Sequence, residues 1–179
     1  MRLFFGLPLP PNARQAAFSR AQEAQRLLSG RYSLPENYHL TLAFLGEVAE
    51  EHVPDAQAVL RACAADFPAP TVTLSAVDHF GRADRAILIL RAQSDPPLQP
   101  LHEKLVSALQ NAGLPFDPGP FSPHVTLARQ ADATRLSSLD PACFSPCAAF
   151  RAEQACLFLS ARDEANILRY TPIFRADFA

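Results

Sequence analysis

Apolar residues fall into two spacings along this chain, and each spacing predicts an element. Alternation with period two marks a strand, and steps of three and four mark a helix. Leu3, Phe4 and Phe5 place a first strand over Arg2 to Pro8. Pro10-Pro11-Asn12 opens a helix with Asn12 as its cap, helical spacing runs from Ala13 to Leu28, and Gly30 ends it. After the turn Pro35-Glu36-Asn37, a strand covers His39 to Leu45 and Gly46 closes it. A second helix spans Glu50 to Asp66, with Val53, Ala56, Val59, Leu60 and Cys63 on one stripe. Thr71 to Val77 and Ala86 to Arg91 read as strands joined by the polar turn Gly81 to Arg85. A third helix follows from Leu101 to Ala112 and stops at Gly113. Beyond the Pro-rich stretch Pro115 to Pro123 comes a strand over His124 to Arg129, then a loop over Ala131 to Pro146. Strands Ala149 to Ser160 and Leu168 to Phe178 close the chain, with Asp163-Glu164-Ala165-Asn166 turning between them. Strands interspersed with three helices, and hairpins near the middle and the end, predict an α+β fold with antiparallel sheets rather than a doubly wound parallel sheet. No Gly-rich phosphate loop follows any strand.

Within this pattern one phrase occurs twice. His39-Leu40-Thr41-Leu42-Ala43 returns as His124-Val125-Thr126-Leu127-Ala128, with a single apolar exchange. On a strand, residues i and i+2 share a face, so each copy sets a His beside a Thr above a buried Leu or Val underside. Packing alone would need the apolar positions, not the His and Thr that point the other way. Two imidazoles, each beside a hydroxyl, suit acid–base attack on a phosphodiester. One imidazole takes a proton from water and the other protonates the departing sugar oxygen. Thr41 and Thr126 are placed to donate to the non-bridging phosphate oxygens. None of the other histidines has a twin: His52 begins a helix among Glu50 and Glu51 and is expected to be solvated, His79 precedes a Phe-Gly turn, and His102 lies on a helix beside Glu103.

Composition narrows the partners. At 179 residues, 49% apolar and 19% charged, the chain suits one globular domain or two small lobes sharing a core. No apolar run approaches the ~20 residues of a membrane span. Leu3 to Leu9 faintly imitates a signal peptide but is broken by Gly6 and Pro8, so the expected compartment is the cytoplasm and the four cysteines are expected to be reduced. Cys143 and Cys147 lack zinc spacing, no carboxylate cluster stands ready for magnesium, and the chemistry is expected to need neither metal nor cofactor. With a net charge of −2, and Lys104 the only lysine among 16 basic residues, contact with nucleic acid should be local and confined to a few nucleotides. Phe44 and Phe121 are candidates for stacking on a base. Strict alternation points Arg129 away from Thr126, so it reaches a phosphate only where the strand ends or twists.

At these residues the chain resembles the 2H phosphoesterase superfamily, and more closely its bacterial and archaeal RNA 2′,3′-cyclic phosphodiesterases, historically called 2′-5′ RNA ligases. The stretches that carry the resemblance are Arg2 to Phe5, His39 to Val48, Phe121 to Arg129 and Arg169 to Pro172, so it spans residues 1–179 as a single domain. It implies two pseudo-twofold lobes, each an antiparallel sheet with helices outside, facing a central groove. It also implies hydrolysis of an RNA-terminal 2′,3′-cyclic phosphate to a 2′-phosphomonoester, with reversible, ATP-independent 2′-5′ joining as a second capability. Carried over by position, His39 is the proton donor, His124 the proton acceptor, and Thr41 and Thr126 hold the phosphate. The partner implied is an RNA end bearing the cyclic phosphate, with no membrane and no obligate protein partner. Two alternatives stay open: a 2H phosphodiesterase for small cyclic nucleotides or 2′-5′ oligoadenylates, and a non-catalytic RNA-end binder. Family members often carry a Gly shortly before the final Tyr, and here that stretch is Glu164 to Arg169, so the last hairpin is expected to differ in shape.

Overall fold

The computed structural model describes residues 1–179. In chain order it contains β1 (Arg2–Pro8), α1 (Pro11–Gln25), β2 (Arg31–Tyr32), β3 (His39–Glu47), α2 (Val53–Ala65), β4 (Thr71–Phe80), β5 (Ala86–Asp95), α3 (Gln99–Asn111), β6 (His124–Ala131), β7 (Ala148–Arg151), β8 (Gln154–Arg162) and β9 (Leu168–Asp177). The fold is α+β, and every strand pairing is antiparallel. The main path through the sheet is β7-β4-β5-β6-β3-β1-β8-β9, with β2 attached to β6. The two motif strands, β3 and β6, are therefore neighbours at its middle.

They touch through one register pair, Leu40 with Val125. These are the matching second positions of the two motifs. Like facing like across an antiparallel contact is the signature of an internal twofold axis. Rotation about that axis exchanges β3-β1-β8-β9 with β6-β5-β4-β7, which gives two four-stranded halves. The chain passes β1 unusually close to β3: a Cβ on Gly6 would come within 2.8 Å of the Leu40 carbonyl oxygen.

All three helices contribute to one core. α1 buries Ala13, Ala17, Ala21 and Ala24, small residues that let its backbone approach the sheet, and α3 buries Leu101, Leu105 and Leu109. Leu40, Leu42, Val125 and Leu127 belong to the same core. Helices thus cover the apolar underside of both motifs, and the opposite face is left to His and Thr. None of the helices is long and apolar enough to cross a membrane.

Several element boundaries depart from the periodic reading. Asn12 lies inside α1, because Pro10 takes the cap position and Pro11 occupies a first-turn site where no N–H is needed. Residues Glu50–His52 form a 3-10 turn, and α2 starts at Val53. The run Ala149 to Ser160 divides into two strands: β7 edges one half of the sheet on β4, and β8 enters the other half between β1 and β9. An apolar run carries no mark of a change in partner, so its periodicity stayed continuous across Ala152. In the last hairpin Asn166 takes the left-handed conformation (φ 61°) that a Gly would otherwise supply, and Asp163 Oδ1 accepts from the Ala165 and Ile167 N–H groups. All four cysteines are free.

Candidate active site

The motif strands do not alternate to their ends. In β3, Leu42 and Ala43 are both buried and Phe44 is half-buried on the groove side; in β6, Leu127 and Ala128 are both buried and Arg129 is exposed. Strand register explains this. Gly6 pairs with Thr41 and Phe5 with Ala43, which leaves Leu42 as an extra residue. Ile89 pairs with Thr126 and Leu88 with Ala128, which leaves Leu127 extra at the equivalent place. Each is a β-bulge, and a bulge flips the face of every residue after it. The sixth position of each motif therefore returns to the groove as Phe44 in one half and Arg129 in the other. The displaced carbonyls find other partners: Leu42 accepts from His102 Nδ1–H at 2.7 Å, and Leu127 accepts from the Ser33 N–H at 2.8 Å.

The two motif imidazoles are fixed in matching ways. His39 Nδ1–H donates to the Asn37 carbonyl and His124 Nδ1–H donates to the Ser122 carbonyl, both at 2.7 Å. Spending Nδ1–H on a carbonyl two residues earlier selects the tautomer whose Nε2 is the free base nitrogen. In the first motif, that Nε2 accepts from the Thr41 hydroxyl at 3.1 Å. The His39 side is tethered further. Asn37, the one buried polar residue of the chain, donates from Nδ2 to the Leu168 carbonyl (2.8 Å) and accepts the Tyr170 N–H at Oδ1 (3.1 Å). This ties the carbonyl that orients His39 to β9, whose Tyr170 sets its ring edge-on to His39 at 4.9 Å. Phe4 lies against the same imidazole at 4.6 Å, and Phe80 stands edge-on to His124 at 4.9 Å.

Burial dominates the protonation of both rings. It pushes His39 down from 6.5 to about 4, against the opposing pull of the Asn37 carbonyl, with His124 and Arg129 adding to the fall. Burial likewise lowers His124, and Arg129 lowers it further. Both rings are thus neutral at pH 7 in the free protein. A group with a depressed folded pKa adds stability above its unfolded pKa and loses it as pH falls toward the folded one. His39 is thus expected to remove about 3 kcal/mol of stability between pH 6.5 and pH 4. Urea unfolding of wild type and His39→Gln across that range measures it: the variant should show the shallower decline, and parallel curves would reject the assignment.

His39, Thr41, His124 and Thr126 line one cavity of about 560 Å³. Arg2, Arg129 and Arg162 line it too, and no Asp or Glu does. In a chain of net charge −2, that arrangement concentrates positive potential where the imidazoles meet. Phe44 is in the same wall, with the Arg2 guanidinium 5.0 Å from its ring centre. Phe121 is not: it stacks on His102 in an adjoining cavity. No group of three or more His, Cys, Asp or Glu is placed to hold a metal ion. Sequence reasoning passed over Arg2, Asn37, Arg162, Tyr170 and His102. Arg162 sits at a strand end with no motif around it, whereas Arg2 lies in the Arg2 to Phe5 stretch and the Asn37-x-His39 spacing was available to read.

A family model described as the 2′-5′ RNA ligase superfamily matches residues 10–164. An RNA 2′,3′-cyclic phosphodiesterase of Escherichia coli is 31% identical over 176 residues, covering 97% of this chain and 94% of that protein. One of Thermus thermophilus is 34% identical over 148 residues, covering 76% of this chain and 72% of its own. Among solved structures, Escherichia coli LigT in its apo form superposes with a TM-score of 0.77 at 29% identity, over 99% of this chain and 96% of that one.

Proposed function

The chain belongs to the 2′-5′ RNA ligase superfamily, and from that membership we propose that this enzyme is an RNA 2′,3′-cyclic phosphodiesterase that opens the terminal cyclic phosphate to a 2′-phosphomonoester without a metal ion. The observation that carries the reading is the pair of imidazoles, each oriented by the carbonyl two residues before it, in one arginine-lined cavity. His124 Nε2 takes a proton from water as the water oxygen attacks phosphorus. His39 Nε2 delivers a proton to the departing 3′ oxygen. Thr41 and Thr126 donate to the non-bridging oxygens, where charge builds, and Arg129 adds its positive charge from the sixth motif position. Phe44 offers a ring to the terminal base.

Two neutral imidazoles are not yet an acid–base pair, and the substrate corrects this. A bound phosphodiester monoanion favours the imidazolium form, so binding itself raises the pKa of the ring that acts as acid. The same negative charge is drawn in by Arg2, Arg129 and Arg162.

Phosphorus NMR of a short RNA ending in a 2′,3′-cyclic phosphate tests the reading, with excess EDTA present. The expected product is the 2′-phosphate alone, formed at the same rate with and without chelator. Formation of a 3′-phosphate, or a loss of rate with EDTA that magnesium or zinc restores, would reject the mechanism.

A further inference from the structure

β2 is two residues long and leads into the catalytic cavity, which the next residue, Ser33, lines. Its Arg31 pairs in register with Arg129 of β6, and Tyr32 pairs with Ala128. Register partners across an antiparallel contact share a face and stand about 5 Å apart at Cβ. Arg129 lines the cavity, so Arg31 lies on the cavity's face of the sheet. Its neighbours fix the same direction. Tyr32 packs against the core and its hydroxyl donates to the Leu28 carbonyl at 3.0 Å, which turns Arg31 to the opposite face. Ser33 shares the face of Arg31, and its N–H continues the ladder to the Leu127 carbonyl at 2.8 Å. Gly30 lets β2 come this close, because a Cβ there would lie 3.0 Å from Ala131 Cα. Arg31 is exposed and does not itself line the cavity, so it stands one step further out than Ser33.

Like charges directly opposite each other on two strands are destabilising. The chain pairs Arg26, Arg82, Arg91 and Arg169 with carboxylates, but neither Arg31 nor Arg129 forms an ion pair. Two facing guanidiniums with no acid between them suit an anion with several oxygens, and the planar fork of Arg matches phosphate. We propose that Arg31 binds the phosphodiester on the 5′ oxygen of the terminal nucleoside, one linkage upstream of the cyclic phosphate, and so selects a polynucleotide end over a free cyclic nucleotide. The inference rests on the reading above, in which the cyclic phosphate lies between His39 and His124. Arg129 is near enough to that centre for its charge to lower the pKa of both imidazoles. Its cross-strand partner Arg31 is set outward past Ser33, where the next anion of a strand arrives. A cyclic mononucleotide has no second anion, so it leaves Arg31 with nothing to hold. The other side of His124 offers no equivalent. There Arg91 is the register partner of His124, and Asp78 already neutralises its guanidinium.

Three substrates test this: adenosine 2′,3′-cyclic phosphate, an adenylyl dinucleotide ending in the same cyclic phosphate, and that dinucleotide with a neutral methylphosphonate as its internal linkage. The upstream 2′-hydroxyl is methylated in both dinucleotides to keep the linkage intact, and chromatography of the 2′-phosphate product gives kcat/KM. Wild type should prefer the charged dinucleotide to the methylphosphonate by about tenfold or more, the scale of one hydrogen bond to a charged group. It should prefer the charged dinucleotide to the cyclic mononucleotide as well. Arg31→Gln should lose most of the preference for the charged linkage, and Arg31→Lys should keep most of it. Equal use of the two dinucleotides by wild type, or a preference unchanged in Arg31→Gln, would overturn the proposal. Removing one charge of the facing pair should leave the urea midpoint of Arg31→Gln at or above that of wild type, and a midpoint well below it would make Arg31 a structural residue instead. Absence of 2′-phosphate from all three substrates with wild type would reject the underlying hydrolytic assignment rather than the role of Arg31.

Discussion

His39→Ala and His124→Ala are each expected to lower the turnover of an RNA 2′,3′-cyclic phosphate by about 10²–10⁴, the usual scale for one acid–base group. Steady-state kcat on a short cyclic-phosphate RNA measures the loss. The double variant should lose less than the product of the two, because the pair acts as a unit. Thr41→Val and Thr126→Val keep the side-chain shape and remove one donor to the charged phosphate. They should cost on the order of 10–10³, less than either His. The pH profile separates this account from a simple loss of shape. Only the state with one ring protonated and one neutral is productive, so kcat/KM should trace a bell. Burial depresses both rings in the free protein, which places its maximum on the acid side of pH 6.5. The bound monoanion raises the imidazole pKa values, so the bell in kcat should sit at higher pH. Each single variant should keep only one limb. A bell that survives in either variant would assign the titration to other groups.

The twin motifs were legible because their chemistry rides on local alternation. His39, Thr41, His124 and Thr126 are neighbours two apart on a strand, and no tertiary information is needed to put each pair on one face. What alternation could not carry was the sixth position. Its direction depends on Leu42 and Leu127 being left over in the register with β1 and β5, and register is a property of two strands, not one. Strict periodicity sent Arg129 to the wrong face for that reason, and the bulge returned it to the cavity. The same limit applies to β2, whose two residues are too short for a period, and to the division of β7 from β8, which is a change of partner inside one apolar run. His102 shows a different gap. On its own helix it is one polar residue beside Glu103, and its role as donor to the Leu42 carbonyl exists only because the bulge frees that carbonyl. In the sequence Asn37 is a turn residue before the motif. Its two bonds to β9 join positions 131 and 133 residues apart, a link that no spacing in the sequence encodes.

Replacing the 3′ oxygen of the substrate by sulfur is expected to restore His39→Ala by much of its 10²–10⁴-fold loss and to leave His124→Ala nearly as slow as before. A thiolate departs without a proton, so an acid is no longer needed at that atom, whereas water still needs its base. The prediction separates roles that the static geometry makes almost equal. Both rings spend Nδ1–H on the carbonyl two residues earlier at the same 2.7 Å, and both have lowered pKa values for the same reason, burial. What differs is their surroundings. Burial takes His39 down to about 4, and the ring is held between Phe4 and Tyr170 with its partner carbonyl tethered through Asn37. The bound anion raises the pKa of this ring so that it takes up a proton from solvent, and a rigidly held ring delivers that proton to a fixed atom. His124 borders both cavities, whereas His39 lines only the first. Comparing the rates of the oxygen and sulfur substrates in both variants measures the assignment directly. Equal rescue of the two, or rescue of His124→Ala alone, would exchange the acid and the base.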